Sequence, residues 1–358
     1  MANFDLVKLA LKATCPGNDI LLDDKGLPSV MVRIPKFKIS DVIDGGSDST
    51  HPAFLVNGIE VPEIYISKYQ NVVHNGRAYS LPGEDPANNM TWDTARGYCE
   101  AKGPGWHMMT KAEYAAIALW CKKNGFLPYG NNSYGKDSRE ALAVAIPAAF
   151  NTDVPPKTTR VLTGTGPVTW SHNKSIDGIW DLNGNVSEWT GGIRTVYGEL
   201  QLLVNNNAAD SNNPQTADAA TWKAIDATTG AFIDPNGSGT TANSIKVDSV
   251  ADKPQYRTVV ETQSESFNAV ISAITCDASI AAEAQAVLIA YGLLPDDIAF
   301  DYEGDVLYFN NVASERLFYS GGYCTDATGA GVFCASGHYY SRTSAGTNIG
   351  FRSAYVAL

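Results

Sequence analysis

The residues best suited to chemistry in this chain are concentrated near its end. Tyr319, Tyr323, His338, Tyr339 and Tyr340 stand among serines, threonines and glycines. Tyrosine gives a large amphipathic contact area with few rotatable bonds, and small polar neighbours add adaptable hydrogen bonding, so this mixture is one of recognition. The same stretch carries two thiols, Cys324 and Cys334, whose thiolate forms could ligate a soft metal. Elsewhere the chemistry is sparse. His51, His74, His107 and His172 are scattered singly, no two cysteines are spaced as CxxC, and no GxSxG elbow is present. The glycine-rich TGTGP at 163–167 is neither a Walker loop nor set between a clear strand and a helix.

The composition of this terminal stretch is itself informative. From Leu317 to Leu358 there is no Lys, Glu, Gln, Met or Trp. These five types make up about a fifth of average sequence, so chance alone gives such a stretch on the order of once in ten thousand. Randomising the adenines of AAC codons yields NNC codons, which encode Tyr, His, Cys, Ser, Thr, Asp, Gly and Ala but never the five missing types. A Gly/Ser/Tyr-rich loop whose composition had drifted would look similar.

The elements that must position these residues are legible in part. Between Val30 and Ser67 short apolar runs alternate with turn residues, predicting strands. TWDTARGYCEAKG and TKAEYAAIALWCKKNG predict two helices, the second with a Thr110/Glu113 capping box, a Gly125 stop and one inward stripe of Tyr114, Ile117, Ala118 and Cys121. Cys99 and Cys121 fall on the apolar helix faces, so buried free thiols are expected rather than a disulfide framework. Residues 126–178 are turn-dense and predict a surface excursion. Asn183-Gly184, inside GIWDLNGNVSEWTGG, marks a tight turn flanked by apolar residues. The 195–264 stretch is rich in Ala, Asn, Asp and Thr and predicts an insertion without a core of its own, holding one hairpin, TWKAID with GAFID. SFNAVISAI and SIAAEAQAVLIAYG read as helical, the latter bracketed by Ser279 and Gly292.

Several separated motifs together resemble the formylglycine-generating-enzyme-like branch of the C-type lectin fold, as used by variable proteins of diversity-generating retroelements. They are VRIPKF (32–37), EIYISKYQN (63–71), GWHMMTKAEYAAIAL (105–119), GNVSEW (184–189) and a tail reading SGG, AGVF, SR and NIGFRSA. The resemblance spans nearly the whole chain outside 195–264. It implies an α+β fold, one domain over 1–358, with the 317–352 segment displaying changeable side chains on a fixed frame. Gly321-Gly322, Gly331-Val332-Phe333 and Asn348 to Arg352 match the frame. The residues between them become the variable, ligand-binding set: Tyr319, Tyr323, Thr325, Asp326, Gly329, Cys334, Ser336, His338, Tyr339, Tyr340, Thr343 and Gly346. Where the family often has tryptophan after its first variable position, this chain has Cys324, so the pattern assigns Cys324 to neither set.

By the same resemblance Trp189 and Glu188 are structural. The family's enzymes can hold calcium near this motif, which makes Asn185 and Glu188 candidate ligands, since oxygens on a turn suit that ion. No cofactor is otherwise required. The expected function is recognition of a protein or glycan on a cell surface, on behalf of a phage or its bacterial host. The alternative is a copper oxidase acting on cysteine, although Cys324 and Cys334 lack the close spacing of the enzymes' pair. Twenty-six basic against thirty-eight acidic residues give a net charge of −12, which disfavours nucleic acid and acidic membrane surfaces. No run of eighteen apolar residues occurs, and Met1–Pro16 lacks a signal-peptide pattern because Lys8 and Lys12 interrupt it. The expected location is therefore a virion, a bacterial cell surface or the cytoplasm.

Overall fold

The alternating apolar residues of MVRIP and EIYIS make the expected strands, Pro28–Pro35 and Glu63–Ser67, with Met31 opposite Ser67 and Ile34 opposite Ile64. The computed structural model describes residues 4–358; residues 1–3, where the Met1–Pro16 stretch begins, lie outside the described residues. The two strands belong to a five-stranded sheet in the order Asn18–Leu22, Pro28–Pro35, Glu63–Ser67, Ser353–Tyr355, Trp106–Met108. The last strand of the chain thus lies between two early ones, with Ala354 opposite both Ile66 and His107. This pairing anchors the far end of the terminal segment.

Both expected helices form. Trp92–Glu100 is capped by the Thr91 hydroxyl, which accepts from the Thr94 N–H at 3.2 Å. Lys111–Lys123 starts at a complete capping box, in which Thr110 Oγ1 accepts from the Glu113 N–H at 3.2 Å and Glu113 Oε2 from the Thr110 N–H at 3.0 Å. Gly125 follows its end with φ +77°. One expectation fails here: the second helix buries far more than one stripe. Every residue from Lys111 to Leu119 is buried, because strand Ser187–Val196, helix Ala282–Ala290 and the short Ile39–Val42 helix all pack on it.

A twelve-stranded mixed sheet forms the rest. Its main path runs Phe267–Val270, Val306–Phe309, Ala335–Gly337, Arg316–Ser320, Ser187–Val196, Glu199–Leu202, Lys246–Val250, Lys253–Arg257, Thr275–Cys276. Ile349–Phe351 pairs in parallel with the start of Ser187–Val196, and a hairpin branches from Glu199–Leu202. Ser187–Val196 is buried along its whole length, as befits a central strand.

The 195–264 stretch is built into the large sheet. Its first residues complete strand Ser187–Val196, and five later strands extend the same sheet. Leu200, Leu202, Ile225, Ile245, Val247 and Tyr256 join the core that holds Ile64 and Ile117. Few apolar residues suffice because strands bury one face against layers supplied by the rest of the chain. The hairpin forms as read, with Ala224 opposite Ile233 and Ile225 opposite Phe232.

SFNAVISAI is a strand followed by a 3-10 turn, not a helix. Phe267 and Ala269 point inward while Asn268 and Val270 point outward, a period of two hidden by the apolar run after it. Helix Ala282–Ala290 forms and Gly292 has φ +61°, but Ser279 is tied to Asp277 and does not cap it. Asn183-Gly184 is a bend rather than the expected hydrogen-bonded tight turn: Gly184 bridges to Asn131, and no strand precedes it. Residues 126–178 include a short hairpin, Pro147–Phe150 with Thr158–Val161, yet Asn131, Asn132 and Asp137 lie buried, so the excursion is only partly at the surface.

Candidate ligand-binding site

Strand pairing sets the site. Asn268 stands opposite Tyr308, Tyr308 opposite Ser336, and Ser336 opposite Tyr319, on four adjacent strands of the large sheet. Directly opposed residues share a face and approach to about 5 Å. The rung therefore makes the floor of a cleft of about 580 Å³.

Eight of the sequence-marked residues line this cleft: Tyr319, Tyr323, Asp326, Cys334, Ser336, His338, Tyr339 and Tyr340. The other four do not. Thr325 and Thr343 are exposed to its side, Gly329 ends a 3-10 turn, and Gly346 sits behind Tyr340, where a Cβ would come within 2.3 Å of the tyrosine hydroxyl oxygen. Sequence reasoning missed Ser187, Ser266, Asn268, Tyr308 and Thr347, which also line the cleft, and Gly322 and Asn348, which it assigned to the frame, line it too. No sequence signal marked Tyr308: Val306 to Phe309 is a continuous apolar run, and its alternation of half-buried and buried side chains appears only in the folded strand.

The rings meet in sequence round the cleft. Trp189 contacts Tyr319 edge-on with centroids 5.7 Å apart, Tyr319 contacts Tyr340 at 5.5 Å, and Tyr340 contacts Tyr339 at 5.0 Å. His338 lies 5.8 Å from Tyr339 and 6.4 Å from Tyr308. The Tyr340 hydroxyl donates to Asn348 Oδ1 at 2.9 Å, which fixes that ring, while Tyr339 is 66% exposed. Burial raises the Tyr308 phenol to about 12 and pushes that of Tyr319 higher. Burial also raises the Asp326 carboxyl to about 6, against the opposing pull of the Tyr323 N–H it accepts. The His338 imidazole is held toward its neutral form by burial and by Arg316.

Beneath the cleft lies the frame. The Arg352 guanidinium is fully buried and donates through Nε and Nη2 to the two oxygens of Glu188, both at 2.6 Å. It also donates to the carbonyls of Ser67 and Trp180, each at 2.9 Å. One side chain thereby ties the five-stranded sheet, the loop before the turn and the central strand of the large sheet. Gly331 is close-packed, since a Cβ there would lie 1.9 Å from Asp305 Oδ1, and Asp305 Oδ2 accepts the Phe333 N–H at 2.7 Å. Cys324 is buried with its carbonyl accepting from Tyr134, and does not line the cleft, so the structure places it with the frame.

The calcium candidates do not fit that ion. Both Glu188 oxygens are held by Arg352, and one accepts from Gln70 as well. Asn185 Oδ1 accepts from Asn131 Nδ2 and the Val161 N–H. A cation would have to displace these donors. Among the described residues no cluster of three His, Cys, Asp or Glu could hold a metal. All six cysteines are free thiols, five buried and Cys276 half-buried. Burial raises the Cys324 thiol to about 11 and that of Cys334 further. His51 and His107 are buried and bonded to backbone or to Glu113, apart from the cleft.

A larger depression of about 760 Å³ lies between Tyr197, the 238–243 loop and Val259. It holds none of the sequence-marked residues, and the Lys246 ammonium on its wall is already bonded to Thr241 and Ser244.

Residues 17–220 match the model of the sulfatase-modifying factor enzyme 1-like domain. The chain belongs to this family. The match includes Glu188 and the helix Lys111–Lys123, and ends before the strands that carry most of the cleft. The architecture is the formylglycine-generating-enzyme-like form of the C-type-lectin-like fold, with a large mixed sheet. Among solved structures the chain is similar to Treponema denticola variable protein 1, at 10% identity and a TM-score of 0.34, covering 95% of this chain and 99% of that one. It is also similar to PvdO from Pseudomonas aeruginosa, at 12% identity and a TM-score of 0.32, covering 95% and 98%. No curated protein sequence matches. Among the described residues no helix is long and apolar enough to cross a membrane.

Proposed function

We propose that this chain is a diversified ligand-recognition protein, of the kind served by diversity-generating retroelements in a phage or its bacterial host. The observation that carries the reading is convergence. Eight of the twelve positions that the family resemblance marks as variable, within a stretch of codon-limited composition, meet as neighbouring side chains round one cleft, while Arg352, Gly331 and Phe333 lie in the packing beneath it. Variation at the cleft would change the binding surface at little cost to the frame. The ligand in this reading is a protein or glycan on a cell surface, and no cofactor enters. Family membership defines the fold and leaves the chemistry to the site.

The copper-oxidase reading relies on Cys324 and Cys334. Its reactive species is a thiolate, and burial keeps both groups protonated at neutral pH. The test is an array of surface proteins and glycans probed with the purified chain and with a Tyr339→Ala, Asn268→Ala double variant. Selective binding that the double variant loses supports recognition. Absence of any selective ligand, together with tight Cu(I) binding that a Cys324→Ser, Cys334→Ser variant loses, supports the oxidase.

A further inference from the structure

Resting on the reading of the cleft as a ligand site, we infer that in this variant it takes an organic cation, presented as a basic side chain by a protein ligand. Four observations carry this.

The first is the arrangement of the rings. Along Tyr319, Tyr340, Tyr339, His338 and Tyr308, consecutive planes turn by 66°, 79°, 56° and 30°. Rings that turn in this way form panels of a wall rather than a stack. They can present several electron-rich faces to one point, which is how aromatic side chains attract a cation.

The second is the sign of the charge. Among the described residues Asp326 is the only carboxylate lining the cleft, and no Lys or Arg lines it. One Asp326 oxygen accepts the Tyr323 N–H at 3.0 Å, and the other has no donor among the described residues. Asp326 is half-buried, and a partly desolvated carboxylate without a counter-charge gains from a cation that pairs with it.

The third is where the nearby basic groups go. Arg316 donates to the carbonyls of His338 and Glu315, and Arg342 pairs with Glu315 and Asp93. Their heads are engaged outside the cleft, leaving the Asp326 position open to an incoming charge. The fourth is long-range: a net charge of −12 attracts basic partners and repels acidic ones.

A neutral glycan would also find ring faces here, but it would leave the Asp326 charge unpaired. A basic side chain meets both the rings and the carboxylate. The volume of about 580 Å³ accommodates such a head with its aliphatic stem.

The experiment is calorimetric titration of the full chain with choline and with 3,3-dimethyl-1-butanol, its uncharged isostere, followed by a trimethyllysine peptide and the same peptide with norleucine. The expected result is that each cation binds about tenfold more tightly than its neutral partner. Asp326→Asn should remove that difference while leaving the denaturation midpoint in place. Binding by choline but by neither peptide would overturn the protein source. Equal affinity for charged and neutral probes, or no binding by either, would overturn the cation. A glycan that the array finds, that cleft substitutions abolish and that choline fails to displace would overturn the cation yet leave the recognition reading standing. If no array ligand responds to cleft substitutions, that underlying reading fails too.

Discussion

Replacing Arg352 with methionine tests how much of the fold and of the cleft the buried ion pair of the frame holds in place. The guanidinium makes two bonds of 2.6 Å to Glu188 and one of 2.9 Å to each of two carbonyls, all out of contact with water. Methionine fills similar space but leaves the Glu188 charge buried, with Gln70 as its remaining donor at 3.1 Å. Breaking a buried pair from one side costs about 3–5 kcal/mol, a large share of the roughly 5–15 kcal/mol that holds a typical domain. Urea denaturation followed by tryptophan fluorescence should show that loss as a lower midpoint. Because Glu188 lies opposite Ser320 on one neighbouring strand and Gly350 on another, Arg352→Met should also weaken ligand binding. Adding Glu188→Gln removes the orphaned charge, so the double variant should be more stable than Arg352→Met alone. A cost below about 1 kcal/mol for the single variant, or a double variant as unstable as the two single costs added together, would refute the reasoning.

Three further outcomes follow from the same structure. Tyr339→Ala, at a side chain 66% exposed, should change stability by no more than about 0.5 kcal/mol while reducing binding of any array ligand severalfold; equilibrium denaturation and titration of one preparation check both. Lys102 is fully buried, with its ammonium 3.2 Å from the centre of the Trp106 ring, and burial lowers it to about 7. Its unfolded form keeps the proton up to about 10.4, so folded stability should rise between pH 7 and 10 by up to about 1.4 kcal/mol per unit, and Lys102→Met should remove that slope from denaturation midpoints measured across the range. Gly184→Ala places a Cβ 2.2 Å from the Asn131 carbonyl oxygen at φ +76°, so it should destabilise the protein by more than about 2 kcal/mol in the same assay.

Local signals carried the sequence reading furthest. The Thr110/Glu113 box, the Gly125 stop and the hairpin from Lys223 to Ile233 depend on neighbours a few residues apart, and all three appear as read. Two things were hidden because they depend on distant pairing. Phe267–Val270 is a strand because Val306–Phe309 lies beside it, although the apolar run that follows it suggested a helix. Asn268 and Tyr308 enter the cleft for the same reason, since nothing near either residue announces that Ser336 and Tyr319 complete their rung. The 195–264 stretch looked too polar for a core because its apolar residues are spread over strands that borrow a layer built elsewhere. At the terminal segment, composition marked the stretch and the family resemblance marked the residues within it. Only the fold separated the eight that converge from Thr325, Gly329, Thr343 and Gly346, and placed Cys324 with the frame.

The central claim is that the cleft changes while the frame does not. Deep sequencing of sibling copies of the gene from closely related isolates tests it most directly. The account predicts substitutions concentrated at Tyr319, Tyr323, Asp326, Cys334, Ser336, His338, Tyr339 and Tyr340, with Gly331, Phe333, Glu188 and Arg352 constant and a near-identical adenine-rich template copy beside the gene. Substitutions scattered evenly along the chain, with no template copy, would contradict it.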